Sequence, residues 1–153
     1  MLFHNPFFLF IFLPIVFSIY FLINKKIRFW FLIISGFIFY AAWNIKFSPL
    51  IVFSILINYF LCKYIIECNE QSKKKIILII SIIFNISYLG LFKYADFFIS
   101  NINFITNSSF DLWKLPFPLA LSFVTFQTIA FVCDCYEDNI NDLSFKKYAL
   151  FII

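Results

Sequence analysis

Residues 7–23 carry no charged side chain, and apolar runs of similar length recur at about 29–43, 49–66, 76–92 and 115–138. That recurrence constrains the fold more than any motif. Hydrocarbon offers no water to pair with peptide groups, so each run must satisfy its own backbone, and a helix does so. At about 1.5 Å per residue, roughly 20 residues cross a core of about 30 Å. Composition agrees: 63% hydrophobic and 13% charged residues, against roughly 45–50% and about 25% in soluble domains. The sequence predicts an all-α, multi-span integral membrane bundle. It has about five transmembrane helices and one interfacial helix, in one domain over 1–153.

The first run could be a signal peptide, but no Lys or Arg precedes it and no small-residue cleavage site follows before Lys25 and Lys26, which favours an uncleaved helix. Pro14 inside it leaves a carbonyl four residues earlier without its donor and predicts a kink. The second run has Trp30, Tyr40 and Trp43 near its ends, as interfacial aromatics would be, and Gly36 as a close-packing point. Pro49 suits the first turn of the third. Asn58 in the third and Ser81, Asn85 and Ser87 in the fourth are polar residues within those runs. The two asparagines are expected to bond between helices. Residues 94–114 mix Phe97, Phe98, Ile102, Phe104 and Ile105 with Asp96, Ser100, Asn101 and Asn103, which predicts a short helix lying in the interface. Pro116 and Pro118 bracket the entry to the fifth span. The acceptor pattern at Asn107-Ser108-Ser109 is read as chance.

Lys25, Lys26, Arg28, Lys63, Lys73, Lys74, Lys75, Lys146 and Lys147 fall on one side of such a bundle, leaving Lys46, Lys93 and Lys114 on the other. The positive-inside tendency makes the first group cytoplasmic and the amino terminus external. The net charge of +4 is then a topology signal, because the lysines lack the clustered face a nucleic-acid site needs. Cys62, Cys68, Cys133 and Cys135 read as reduced thiols at cytoplasmic helix ends. Cys133-x-Cys135 is not a zinc spacing and no histidine is near, so no metal site is expected. The single histidine, His4, precedes the first span and is not read as catalytic, and two glycines cannot build a phosphate loop.

The run at 115–138 is the most polar of the five. At about 100° per residue, Ser122, Thr125 and Thr128 share one stripe of a helix, and Gln127 and Asp134 another. One stripe could pack and the other could line a path, or both could bond neighbouring helices. A buried Asp134 would need a partner or a proton.

These residues carry a resemblance. Leu119-Ala-Leu-Ser122-Phe123-Val-Thr125-Phe126-Gln127, followed by Asp134-Cys-Tyr136, is similar to the L-P-x-G-I-S-F-x-T-F-Q…D-V-Y-R-G of bacterial membrane-bound O-acyltransferases. Phe8 to Pro14, Ser35 to Trp43, Asn58-Tyr59 and Phe92 to Phe97 resemble earlier landmarks of the same family in order and spacing. Two departures stand out: Ala120 replaces the motif's Gly, and Glu137-Asp138 replaces its Arg-Gly.

The resemblance implies the amino-terminal portion of an alginate or peptidoglycan O-acetylase-like enzyme. Such an enzyme moves an acetyl or similar group onto hydroxyls of a cell-envelope polysaccharide in the bacterial inner membrane. It implies acetyl-CoA or an acylated carrier as donor, an accessory acyltransferase subunit as a partner, and a catalytic histidine in a part with no counterpart here. No residue of this chain is then catalytic, Ser122, Thr125, Gln127, Asp134 and Tyr136 become tunnel-wall positions, and the chain alone is expected to be inactive. The alternative is a small non-enzymatic multi-span membrane protein or transporter fragment in which the same stripes only pack helices.

Overall fold

A computed structural model describes residues 6–114, 120–140 and 142–153, with Trp43 by its backbone alone. The expectations placed on His4, on Pro116 and Pro118, and on the Trp43 side chain lie outside the described residues. Among those described, the regular elements are all helical: α1 (Phe8–Leu22), α2 (Lys25–Trp43), α3 (Ser48–Glu67), α4 (Gln71–Thr106), α5 (Leu121–Tyr136) and α6 (Phe145–Ile152). The chain divides into two units, Met1–Lys63 with Asn141–Ile153, and Tyr64–Ile140. The segment bearing α3 and the whole of α4 are long and apolar enough to cross a membrane, while α1 and α5 are shorter apolar helices.

In the first unit, Pro14 shapes α1. Its ring nitrogen donates nothing, and the turn before it opens to the wider π register over Phe8–Phe12, where the Leu13 N–H reaches the Phe8 carbonyl. A π turn is a common way to absorb such a break without ending the helix. Ile23 then turns extended, and the Asn24 side chain caps α2 by accepting from the Lys26 N–H at 3.5 Å. Arg28 folds back over the junction, its Nε donating to the Ile23 carbonyl at 3.3 Å and its guanidinium lying 4.9 Å above the Tyr20 ring.

Gly36 is the close-packing point the sequence suggests. A Cβ there would meet Ile153 Cγ2 at 2.1 Å, so α2 and the end of α6 approach only because the side chain is absent. Tyr148 of α6 is buried, with Tyr59 and Phe145 stacked edge to face at 5.1 Å beside it.

In the second unit, α4 packs along α5. It runs unbroken for 36 residues, so the helix expected in the interface over 94–114 is not a separate element. Its helical part continues the fourth span to Thr106, and helix ends only where Asn107 adopts φ 51°, a left-handed stop. Nothing between Lys93 and Thr106 breaks helix, since proline is absent there and the polar residues point outward or bond locally. The tail that follows is strapped back onto the helix. Asp96 accepts from the Trp113 N–H at 2.8 Å and from the Lys114 N–H at 3.0 Å. The Asn103 amide pairs both ways with the Phe110 backbone, at 2.8 and 2.9 Å.

Burial on α4 is inverted relative to a water-soluble protein, while α3 and α5 bury polar residues alongside apolar ones such as Ile55, Ile65 and Val132. The buried residues of α4 are Lys74, Ser81 and Asn85, while Ile76, Ile79, Ile80, Ile83 and Ile86 are exposed. Ser54 and Asn58 of α3 are buried and Phe53 and Phe60 exposed. On α5, Thr125 and Thr128 are buried and Phe123 and Phe126 exposed. Each large apolar side chain left in water forgoes about 1.5–3 kcal/mol, so these exposed faces favour an apolar surrounding. Each buried amide donates within its own helix, Asn58 to the Ser54 carbonyl at 2.9 Å and Asn85 to the Ser81 carbonyl at 2.8 Å, each four residues back.

Candidate functional site: the fifth helix and its two turns

α5 carries the motif residues on a short helix held at both ends by unusual backbone. It begins after Ala120, which sits at φ 55°, ψ 19°, the left-handed region. Its carbonyl still accepts from the Val124 N–H at 2.9 Å, closing the first turn. The helix ends in a two-bond cap: the Glu137 N–H returns to the Cys133 carbonyl at 2.9 Å, and the Asn139 N–H returns to the Asp134 carbonyl at 3.0 Å. That pattern requires a left-handed residue between them, and Asp138 supplies it at φ 59°. The two places where this chain departs from the motif's glycines are therefore both places where the backbone takes a glycine-like conformation.

The predicted wall residues separate on the helix. Thr125 and Thr128 are buried and Ser122 is half-buried. Thr125 donates its hydroxyl to the Leu121 carbonyl at 2.8 Å, one turn back in its own helix. Gln127 is half-buried and Asp134 exposed, so the two do not form one inward stripe. The burial on which that expectation for Asp134 rested is not found. Tyr136, in the last turn, is half-buried. Cys62 and Cys135 are buried, and Cys68 and Cys133 partly so, all as free thiols.

One ion pair fixes this end of α5 and was not anticipated as a pair. Lys74 Nζ donates to Asp138 Oδ1 at 2.8 Å, and the lysine side chain is only 11% exposed against 61% for the aspartate. The sequence did signal that Lys74 is buried: Lys74, Ser81 and Asn85 lie seven and then four residues apart, one face of a helix, which marks Lys74 off from its exposed neighbours Lys73 and Lys75. The polar groups of 94–114 are likewise explained by structure, since Asp96 and Asn103 hold the strap.

No family profile and no solved structure matches the chain. Among curated proteins it is 42% identical over 145 residues to a peptidoglycan O-acetyltransferase of Helicobacter pylori, covering 91% of this chain and 27% of that protein. It is 31% identical over 144 residues to a probable alginate O-acetylase of Pseudomonas aeruginosa and 32% identical over 144 residues to one of Pseudomonas syringae, covering 91% of this chain and 28% of each relative. The chain thus spans little more than a quarter of the length of these relatives. Over that span it is a homologue of the peptidoglycan and alginate O-acetylases.

Proposed function

We propose that this chain forms part of a membrane-embedded O-acyltransferase that places an acetyl or similar group on hydroxyls of a cell-envelope polysaccharide. The observation that carries the reading is the 42% identity, sustained over 91% of the chain, to a protein that acetylates peptidoglycan. The inverted burial of α4 and the exposed phenylalanines of α3 and α5 support the bilayer as its solvent, because lipid-facing helices keep apolar side chains outward and small polar ones between helices. The five apolar runs are read as spans of the bacterial inner membrane, the amino terminus outside and the lysine-rich turns facing the cytoplasm.

Acyl transfer to a hydroxyl forms an ester C–O bond, breaks the donor's acyl bond and needs a base for the hydroxyl proton. Ser122, Thr125, Gln127, Asp134 and Tyr136 are polar wall positions on this reading, and the described residues include no histidine. On this reading the chain contributes helices that enclose the reaction path. The base, the site of the acetyl-CoA or acylated-carrier donor and the contact with an accessory acyltransferase subunit belong to the length of the relatives that it does not match. Disrupting the gene in its host and measuring base-released acetate from purified envelope polysaccharide tests the reading. A fall in acetate, restored by complementation, is expected, and unchanged acetate overturns it.

A further inference from the structure

We infer that the cleft between α1 and α2 binds an anionic phospholipid, one acyl chain lying in the cleft and the phosphate on Lys25, Lys26 and Arg28. The cleft has a volume of about 380 Å³ and a wholly apolar lining that includes Phe8, Phe12, Val16, Phe17, Tyr20 and Leu32. That is within the roughly 300–1,000 Å³ of small-molecule sites. It opens outward, with Phe17 and Phe21 on its rim exposed, so a chain from the surrounding bilayer can enter sideways. The π turn at Phe8–Phe12 lies along its wall.

Charge complementarity selects the headgroup. At the α1–α2 junction the Arg28 guanidinium lies over Tyr20, itself a lining residue, and the Nε bond to Ile23 holds it there. Lys25 and Lys26 are exposed beside it. The sequence holds no Asp or Glu before Glu67, and among the described residues none of these three cations forms an ion pair. Three cations without carboxylates, set at one end of an apolar cleft, match a phosphodiester above a hydrocarbon tail. Juxtamembrane basic residues attract anionic lipid in just this way.

The inference needs a bilayer and does not need acyl transfer, so the two can fail separately. The test is native mass spectrometry of the full chain purified in mild detergent and offered phosphatidylglycerol or phosphatidylcholine. Preferential retention of phosphatidylglycerol is expected. Combined Lys25→Gln, Lys26→Gln and Arg28→Gln lowers that preference roughly tenfold or more, whereas Lys146→Gln with Lys147→Gln leaves it unchanged. Val16→Trp, which fills the cleft and keeps the charges, lowers retention of both lipids, with circular dichroism reporting that each variant remains helical. Equal retention of the two lipids, or a preference that survives the triple change, overturns the inference. So does a preference that falls equally with the Lys146 and Lys147 changes. Recovery of the protein in solution without detergent would instead remove the membrane reading itself.

Discussion

Lys74 Nζ lies 2.8 Å from Asp138 Oδ1, tying the first turn of α4 to the cap of α5. The lysine is nearly enclosed and the aspartate is largely in water, so the two sides of the pair differ in what their loss costs. Asp138→Asn leaves a mostly buried ammonium without its counter-ion and is expected to destabilise the chain by about 1 kcal/mol. Lys74→Met removes the buried charge as well and is expected to lie within about 0.5 kcal/mol of the parent. Thermal unfolding of the purified chain in detergent checks both, and equal losses would count against the asymmetry.

Ala120 holds a left-handed backbone at φ 55°. An L-residue pays about 1–2 kcal/mol there, and glycine returns roughly 0.5–1 kcal/mol of that through its freer unfolded chain. Ala120→Gly is therefore expected to raise stability by about 0.5–1 kcal/mol, and Ala120→Val to lower it, in the same unfolding assay. Asp138→Gly gives up the ion pair and the strain together and should come out near neutral.

Thr125 spends its hydroxyl on the Leu121 carbonyl, a carbonyl that the helix already serves through the residue 125 amide. Thr125→Val keeps the shape and is expected to cost less than about 1 kcal/mol. If the proposed acyl transfer holds, a loss of envelope acetate in a host carrying Thr125→Val, with stability preserved, would place Thr125 on the reaction path, and unchanged acetate would leave it a packing residue.

Orientation can be read with thiols. In a background without native cysteines, Ser109→Cys, on the exposed strap, is expected to react with a membrane-impermeant maleimide in intact cells. Ser72→Cys, beside the lysine run at the start of α4, should react only after permeabilisation. The reverse pattern would invert the topology.

The helical class and most helix positions were legible because hydropathy blocks and caps are local properties. Asn24 caps the start of α2 and the left-handed Asn107 ends α4, positions that asparagine favours. What the sequence could not separate was the fourth span from the amphipathic stretch after Lys93, since hydropathy falls there while helix propensity does not, and α4 runs through. For the motif, residue types pointed to α5, but exposure did not follow spacing alone. Gln127 and Asp134 share an angle on a helical wheel, yet Asp134 lies in the last turn, exposed. The pairing of Lys74 with Asp138 joins residues 64 positions apart, a distance at which local pattern carries no information.

An unbroken α4 of 36 residues is about 54 Å long at about 1.5 Å per residue, well beyond the roughly 30 Å of bilayer hydrocarbon. Set in a bilayer, as proposed, such a rod acts as a lever whose fulcrum is the membrane. The strap pinned at Asp96 and Asn103 rides on one arm, and the Lys74–Asp138 tie to α5 sits on the other. Any push that tilts the strapped arm must swing the tied end the opposite way, carrying the cap of α5 with it.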